Sequence, residues 1–232
     1  MKKLVLLILG MALACPAIAD DSQFAMQSRY EKAVIRLDKA GIVLDEYMAD
    51  FKSAIPDELL KKAQCVFVVP SVVKVGFIFG VRTGKGVVSC RTGEGWSNVS
   101  FTNITGGSLG LQAGVQVSDL VLVFTNRQAV DILVKGNLQL AGEMSVAIGP
   151  LGRDFQAGTE GFKSPVYSYS RAKGLYAGIS LAGAVLAPSK KDNREMYGEG
   201  ITARELLLTY DANPPAPVAE FLGKLEAYSP SY

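Results

Sequence analysis

Glycine placed inside β-type runs is the feature that most limits how this chain can fold. From Cys65 onward the sequence breaks into short runs rich in Val, Ile, Leu, Phe and Thr, at 65–69, 75–80, 86–91, 107–112 and 120–125, each closed by Pro, Gly or a charged turn. Runs of that length and texture predict an antiparallel meander. The chain has 24 glycines, concentrated in this strand region rather than in one linker. Glycine within a strand marks a bulge, a sharp bend or the close approach of another backbone, so the sheet is expected to be strongly curved or closed into a barrel.

Helices flank this sheet on the sequence reading. Tyr30, Val34, Leu37, Gly41, Leu44, Met48, Phe51 and Ile55 alternate at spacings of four and three, which places them on one stripe of an amphipathic helix over 20–54. Gly41 is a point where that helix could kink. A short helix follows Pro56, with Asp57 and Glu58 in its first turn and Lys61 and Lys62 near its end. Further expectations are a helix over 126–135, strands at 138–147, 166–171 and 175–186, a polar loop at 188–197 and a short helix at 201–208. A proline-rich linker then leads to a last amphipathic helix at 218–228. The fold class is therefore α+β, one core domain over 55–210 followed by the 211–232 linker and helix.

The N-terminus predicts an export address. Lys2 and Lys3 precede the apolar run 4–13, and Ala17-Ile18-Ala19 precedes Asp20, the pattern of a bacterial secretory signal cleaved after Ala19. The alternative is cleavage before Cys15 to give a lipid-anchored chain, which Ala12 and Pro16 disfavour. The apolar run is shorter than the roughly 20 residues a spanning helix needs. A periplasmic or cell-envelope protein is expected, and in that compartment Cys65 and Cys90 are expected to form a disulfide. Closing a loop of about 26 residues would contribute roughly 3 kcal/mol; the other reading is two buried free thiols.

Composition excludes several functions. The chain contains no histidine, which removes Ser-His-Asp and Cys-His catalysis and most catalytic zinc or iron sites. Lys and Arg total 24 against 22 Asp and Glu; removing the first 19 residues, with two lysines and no acid, balances the signs. Nucleic acid as a partner needs a strong basic excess that is missing here. Gly80-Val81-Arg82-Thr83-Gly84-Lys85-Gly86 is one residue short of a phosphate loop and has Gly86 where a hydroxyl should hold magnesium. No catalytic residue, metal or cofactor is assigned. The remaining candidates are cations beside glycine-rich turns: Lys74, Arg82, Lys85, Arg91, Arg127, Arg153, Arg171 and Lys173. Converging on one surface, they could hold lipid phosphates.

Longer stretches carry a family resemblance. The run from Ile55-Pro56 through Leu59-Leu60-Lys61-Lys62-Ala63 to Val75-Gly76-Phe77-Ile78-Phe79-Gly80 resembles the opening of a SYLF domain. The likeness continues through Gly95-Trp96-Ser97, Gly106-Gly107-Ser108-Leu109-Gly110 and Gly149-Pro150-Leu151-Gly152-Arg153 to Tyr167-Ser168-Tyr169-Ser170-Arg171. The resemblance implies a non-enzymatic phospholipid-binding domain; eukaryotic members prefer phosphoinositides, and some bind or bundle actin. The domain is expected to stand without the Src-homology or FYVE module of the eukaryotic members. Together with the export signal, this makes an exported bacterial member the expectation, with an envelope phospholipid or membrane surface as partner, or else a structural or adaptor role with an envelope protein.

Overall fold

The computed structural model describes residues 17–52, 54–76, 79–109, 114–157, 161–172, 175–176, 181–209 and 211–230. Helix α1 (Ala17–Met48) and the short α2 (Asp57–Lys61) lead into the strands β1 (Cys65–Gly76), β2 (Phe79–Cys90), β3 (Ser100–Leu109) and β4 (Gly114–Phe124). Then come α3 (Gln128–Lys135), β5 (Leu138–Gln139), β6 (Val146–Ile148), β7 (Val166–Ala172), β8 (Leu175–Tyr176) and β9 (Val185–Pro188). The helices α4 (Lys190–Tyr197), α5 (Ala203–Leu208) and α6 (Ala216–Tyr228) finish the chain. The strands make one sheet in the order β5-β9-β3-β2-β1-β4-β7-β6, with β8 paired to β7. Among the described strand pairings only β6–β7 is parallel, besides an isolated parallel bridge between Leu140 and Met144. This is the α+β fold with a curved antiparallel sheet that the glycines imply.

Alternation along the strands gives the sheet two buried faces. Val66, Val68, Val87, Phe101, Val121 and Val123 pack with α1, α2 and α6 on one face. Cys65, Phe67, Val69, Val88, Ile104, Leu120, Leu122 and Phe124 pack on the other, with Leu133 of α3, Leu186 of β9 and Leu207 of α5. A central strand apolar on both sides must be covered on both sides. Cys65 and Cys90 stand directly opposite each other in β1 and β2, and their sulfurs are bonded at 2.12 Å.

A bulge bends β1 at its middle. Pro70 has no amide hydrogen for the ladder, Ser71 takes φ 66°, and the register of β1 shifts against both neighbours there. The Ser71 amide donates to the Asp119 carboxylate at 3.0 Å, so an acid on β4 holds the bend. Gly86 makes the bend possible from β2: a Cβ there would stand 2.3 Å from the Val68 carbonyl oxygen.

Several elements differ from their sequence reading. Helix α1 is unbroken at Gly41; a Cβ there would lie 3.0 Å from Lys224 Cδ, so the missing side chain admits α6 rather than a kink. The run 75–80 is not a strand of its own but the end of β1 and the start of β2. The strands expected at 138–147 and 175–186 break into short pieces, the first around Ala141 with φ 60°. The polar loop expected at 188–197 is helix α4. Its N-cap Ser189 accepts the Asp192 amide, and only Asn193 and Met196 are buried, so it lacks the apolar stripe that periodicity detects.

Candidate functional site

Beyond the bulge, β1 to β4 continue as a four-stranded tip, one face of which stays covered at Arg82 and Gly106. Register places Val81, Val75 and Val115 in one row across β2, β1 and β4, with Val73 and Val117 in the next row on the same face. Among the described residues nothing covers this row: Val81 is 64% exposed, Val75 50%, Val115 68% and Val117 48%, and Phe79 at the start of β2 reaches 79%. A valine buried in a core contributes about 1.5–3 kcal/mol, a gain these side chains forgo. Contiguous apolar surface of this kind marks an interaction site. Gly76 and Gly80 are paired, and their backbones approach so closely that a Cβ on Gly76 would stand 2.3 Å from Gly80 Cα.

Charge at the tip has one sign. Segments 71–88 and 99–118 contain Lys74, Arg82 and Lys85 and no acidic residue. Lys85 is exposed on the same face as the valines. Lys74 and Arg82 stand directly opposite each other on the other face, with Gln116 opposite Lys74 on β4. Arg82 is buried, and its Nη1 has no hydrogen-bond partner. Burial holds its guanidinium below the ordinary arginine value.

The other candidate cations are distributed elsewhere. Arg91 donates from Nε to the Ala63 carbonyl at 2.9 Å and from Nη2 to the carbonyl and hydroxyl of Ser229 at 3.0 and 2.7 Å. It also lies 4.5 Å over the Trp96 ring, so it clasps the end of α6 to the α2–β1 junction. Arg153 donates to the Met48 carbonyl at 2.8 Å and sits 3.8 Å from Asp57. Arg171 pairs with Glu46 and packs over Tyr47. Arg127 stands exposed at the start of α3 and makes no side-chain capping bond, and Lys173 lies outside the described residues. Among the described candidates only Lys74, Arg82 and Lys85 lie on the tip, the first two on one face and Lys85 on the other. The valine row escaped the sequence reading, although its alternation with Lys74, Gly76, Gln116 and Ser118 was its signal.

Among the described residues no group of His, Cys, Asp and Glu is placed to hold a metal ion. No described helix is long and apolar enough to cross a membrane. The family model described as Ysc84, Las17-binding protein actin regulator, matches residues 105–228, over half of the chain. The chain belongs to the Ysc84 family. The SYLF resemblance is thereby shown, and this Ysc84 domain is a non-catalytic binding domain.

Among its relatives is human SH3 domain-containing YSC84-like protein 1, 36% identical over 182 residues that cover 77% of this chain and 52% of the relative. The Xenopus laevis protein of the same name is 39% identical over 183 residues, covering 77% and 54%. LAS seventeen-binding protein 3 of Saccharomyces cerevisiae is 33% identical over 183 residues, covering 77% and 39%. The chain thus spans about half the length of these relatives or less.

These relatives correct the expectation of an exported bacterial envelope protein. They come from a vertebrate line and a yeast, and the family is described as an actin regulator. The secreted, periplasmic and cell-envelope address is withdrawn, and with it the reading of 1–19 as a bacterial export signal and of the partner as envelope-specific. The physical reason is that an apolar N-terminal run alone does not distinguish export from other uses of apolar sequence. Cys15 and the run 4–13 lie outside the described residues, and α1 begins at Ala17 and continues without a break through Ala19. The bond between Cys65 and Cys90 rests on their cross-strand pairing rather than on a compartment.

Proposed function

We propose that this Ysc84 domain binds anionic phospholipid membranes through the tip of β1 to β4, and that the membrane is one facing the cytosol, where an actin regulator works. The observation that carries this is the exposed row Val81, Val75 and Val115 on a tip whose only charges are cationic. The row, with Phe79, supplies an apolar wedge for the headgroup boundary. Lys85 on the same face supplies attraction worth about 1 kcal/mol near an anionic surface. Co-sedimentation with vesicles of phosphatidylserine and phosphatidylcholine tests it. Wild type is expected to pellet and to be released by salt, and the double variant Val81→Asp with Val115→Asp is expected to stay in the supernatant while keeping its fold. Equal pelleting of both proteins refutes the assignment.

A second reading follows from the family description: the exposed row docks a protein, and Las17 is the partner named in that description. It predicts that the chain ignores vesicles yet captures purified Las17, and that the same double variant loses that capture.

A further inference from the structure

At the end of β2 and β3 farthest from the tip, a groove of about 440 Å³ opens between α6, the 94–96 turn and the 211–214 segment. Trp96, Pro214 and Leu222 give it an apolar lining, and Glu94, Asp211 and Glu226 give it three carboxylates; among the described residues no lysine or arginine lines it. The one lysine of α6, Lys224, is turned to α1, where its Nζ donates to Asp45 at 2.6 Å. Asp211 is held in place by Asn98 Nδ2 at 3.0 Å and by the Asn213 amide at 2.9 Å, and Asn98 keeps its own Oδ1 buried without a donor. Gly223 keeps the groove open. It lies inside α6, where glycine destabilises a helix relative to alanine, and a Cβ there would meet nothing within 4 Å among the described residues. Close packing therefore does not account for it, in contrast to Gly41 of α1, where Lys224 takes the space.

We infer that this groove docks a basic, extended peptide segment of a protein partner, with an arginine side chain laid along it. The volume is that of a ligand site and exceeds what one ammonium or guanidinium group fills. Arginine matches both halves of the lining: its methylene stem covers apolar surface while its head stays at the polar rim, and its planar fork takes carboxylate oxygens bidentately. It also brings donors to a corner that holds acceptors. Carboxylates facing a cationic segment steer its approach and select against neutral or acidic ones. The same carboxylates repel an anionic lipid surface, so the groove is a place for protein and not for membrane. The docking goes beyond the proposed membrane contact and does not require it, because the groove lies at the other end of β2 and β3 and shares no residue with the valine row.

Trp96 is the chain's one tryptophan and lines the groove, so its emission reports occupancy. The test is a titration of the purified chain at low salt with a capped peptide of alternating alanine and arginine, and with the same peptide carrying glutamine in place of arginine. The arginine peptide is expected to change Trp96 emission saturably, and the glutamine peptide to bind roughly tenfold or more weakly. Glu94→Gln combined with Glu226→Gln is expected to weaken the arginine peptide by a similar factor. Gly223→Met fills the groove from α6 with a good helix former; it is expected to melt at or above the wild-type Tm and to lose binding roughly tenfold or more. No saturable response in wild type, equal binding of the two peptides, or undiminished binding by folded Gly223→Met overturns the docking site. Self-association of wild type that Gly223→Met abolishes, with no response to the peptide, also overturns it and makes a second copy of the chain the occupant. Val81→Asp with Val115→Asp keeps the peptide response, so a failure of membrane docking is distinguishable from a failure of this groove.

Discussion

Gly86→Ala and Gly107→Ala are the same chemical change made in two neighbouring strands, and the account predicts opposite signs for them. At Gly86 the new methyl would stand 2.3 Å from the Val68 carbonyl oxygen and 2.8 Å from Phe67 Cε2 and Val69 Cγ2. The first of these is backbone beside the β1 bulge and cannot swing away as a side-chain end could. Overpacking of this kind costs about 1–3 kcal/mol. At Gly107 a methyl meets nothing within 4 Å, so the lost freedom of the unfolded chain gives a gain of about 0.4–1 kcal/mol. The two variants should therefore differ by roughly 1.4–4 kcal/mol, or about 3–16 °C in Tm for a chain of this size. Paired urea and thermal melts followed by far-ultraviolet circular dichroism measure this. Equal midpoints would refute the reasoning that strand glycines here exist to admit close backbone approach.

Other consequences can be checked with single changes. Arg91→Met removes the hydrogen bonds to Ala63 and Ser229 and uncovers the chain's one tryptophan, which is 4% exposed. With charge-assisted bonds worth about 1.5–3 kcal/mol and not additive, a loss of roughly 2–4 kcal/mol is expected, together with a red shift of Trp96 emission and faster proteolysis of α6. Tyr197 donates to the Val99 carbonyl at 2.7 Å, and burial pushes its phenol above the ordinary tyrosine value. The folded state then keeps a proton that the unfolded chain releases, so its contribution is complete below about pH 10 and falls by up to about 1.4 kcal/mol per pH unit above it. Stability curves between pH 9 and 12 should show this decline, with a shallower slope in Tyr197→Phe.

How much of this molecule was legible beforehand depended on whether an element carries its own signal. Curvature was legible from glycines placed among the β-type runs, but Gly84, read as part of a tight turn between two strands, lies inside the continuous β2; it, Gly86 and Gly106 each face a neighbour that a Cβ would strike. Helices α3 and α6 and strand β7 were legible from apolar periodicity and from Asn126 and Pro217 near their starts. Helix α4 was not, because its residues are mostly polar and its one local cue was Ser189 three residues ahead of Asp192. The cations were found by type but not by role. Arg91, Arg153 and Arg171 look like Lys85 in sequence, and only distant partners such as Ser229, Met48 and Glu46 show that they fasten helices to the sheet. The valine row was hidden for the converse reason: Val75, Val81, Val115 and Val117 have the composition of buried strand, and only the fold shows that their face of the sheet is exposed there.

The central claim is that the exposed tip, rather than an interior cavity, performs the work. Vesicle co-sedimentation at low salt, comparing wild type with Val81→Asp and Val115→Asp combined, addresses it most directly. Binding by wild type that disappears in the folded double variant is the predicted result; vesicle binding undiminished by two carboxylates in the middle of the row would contradict it.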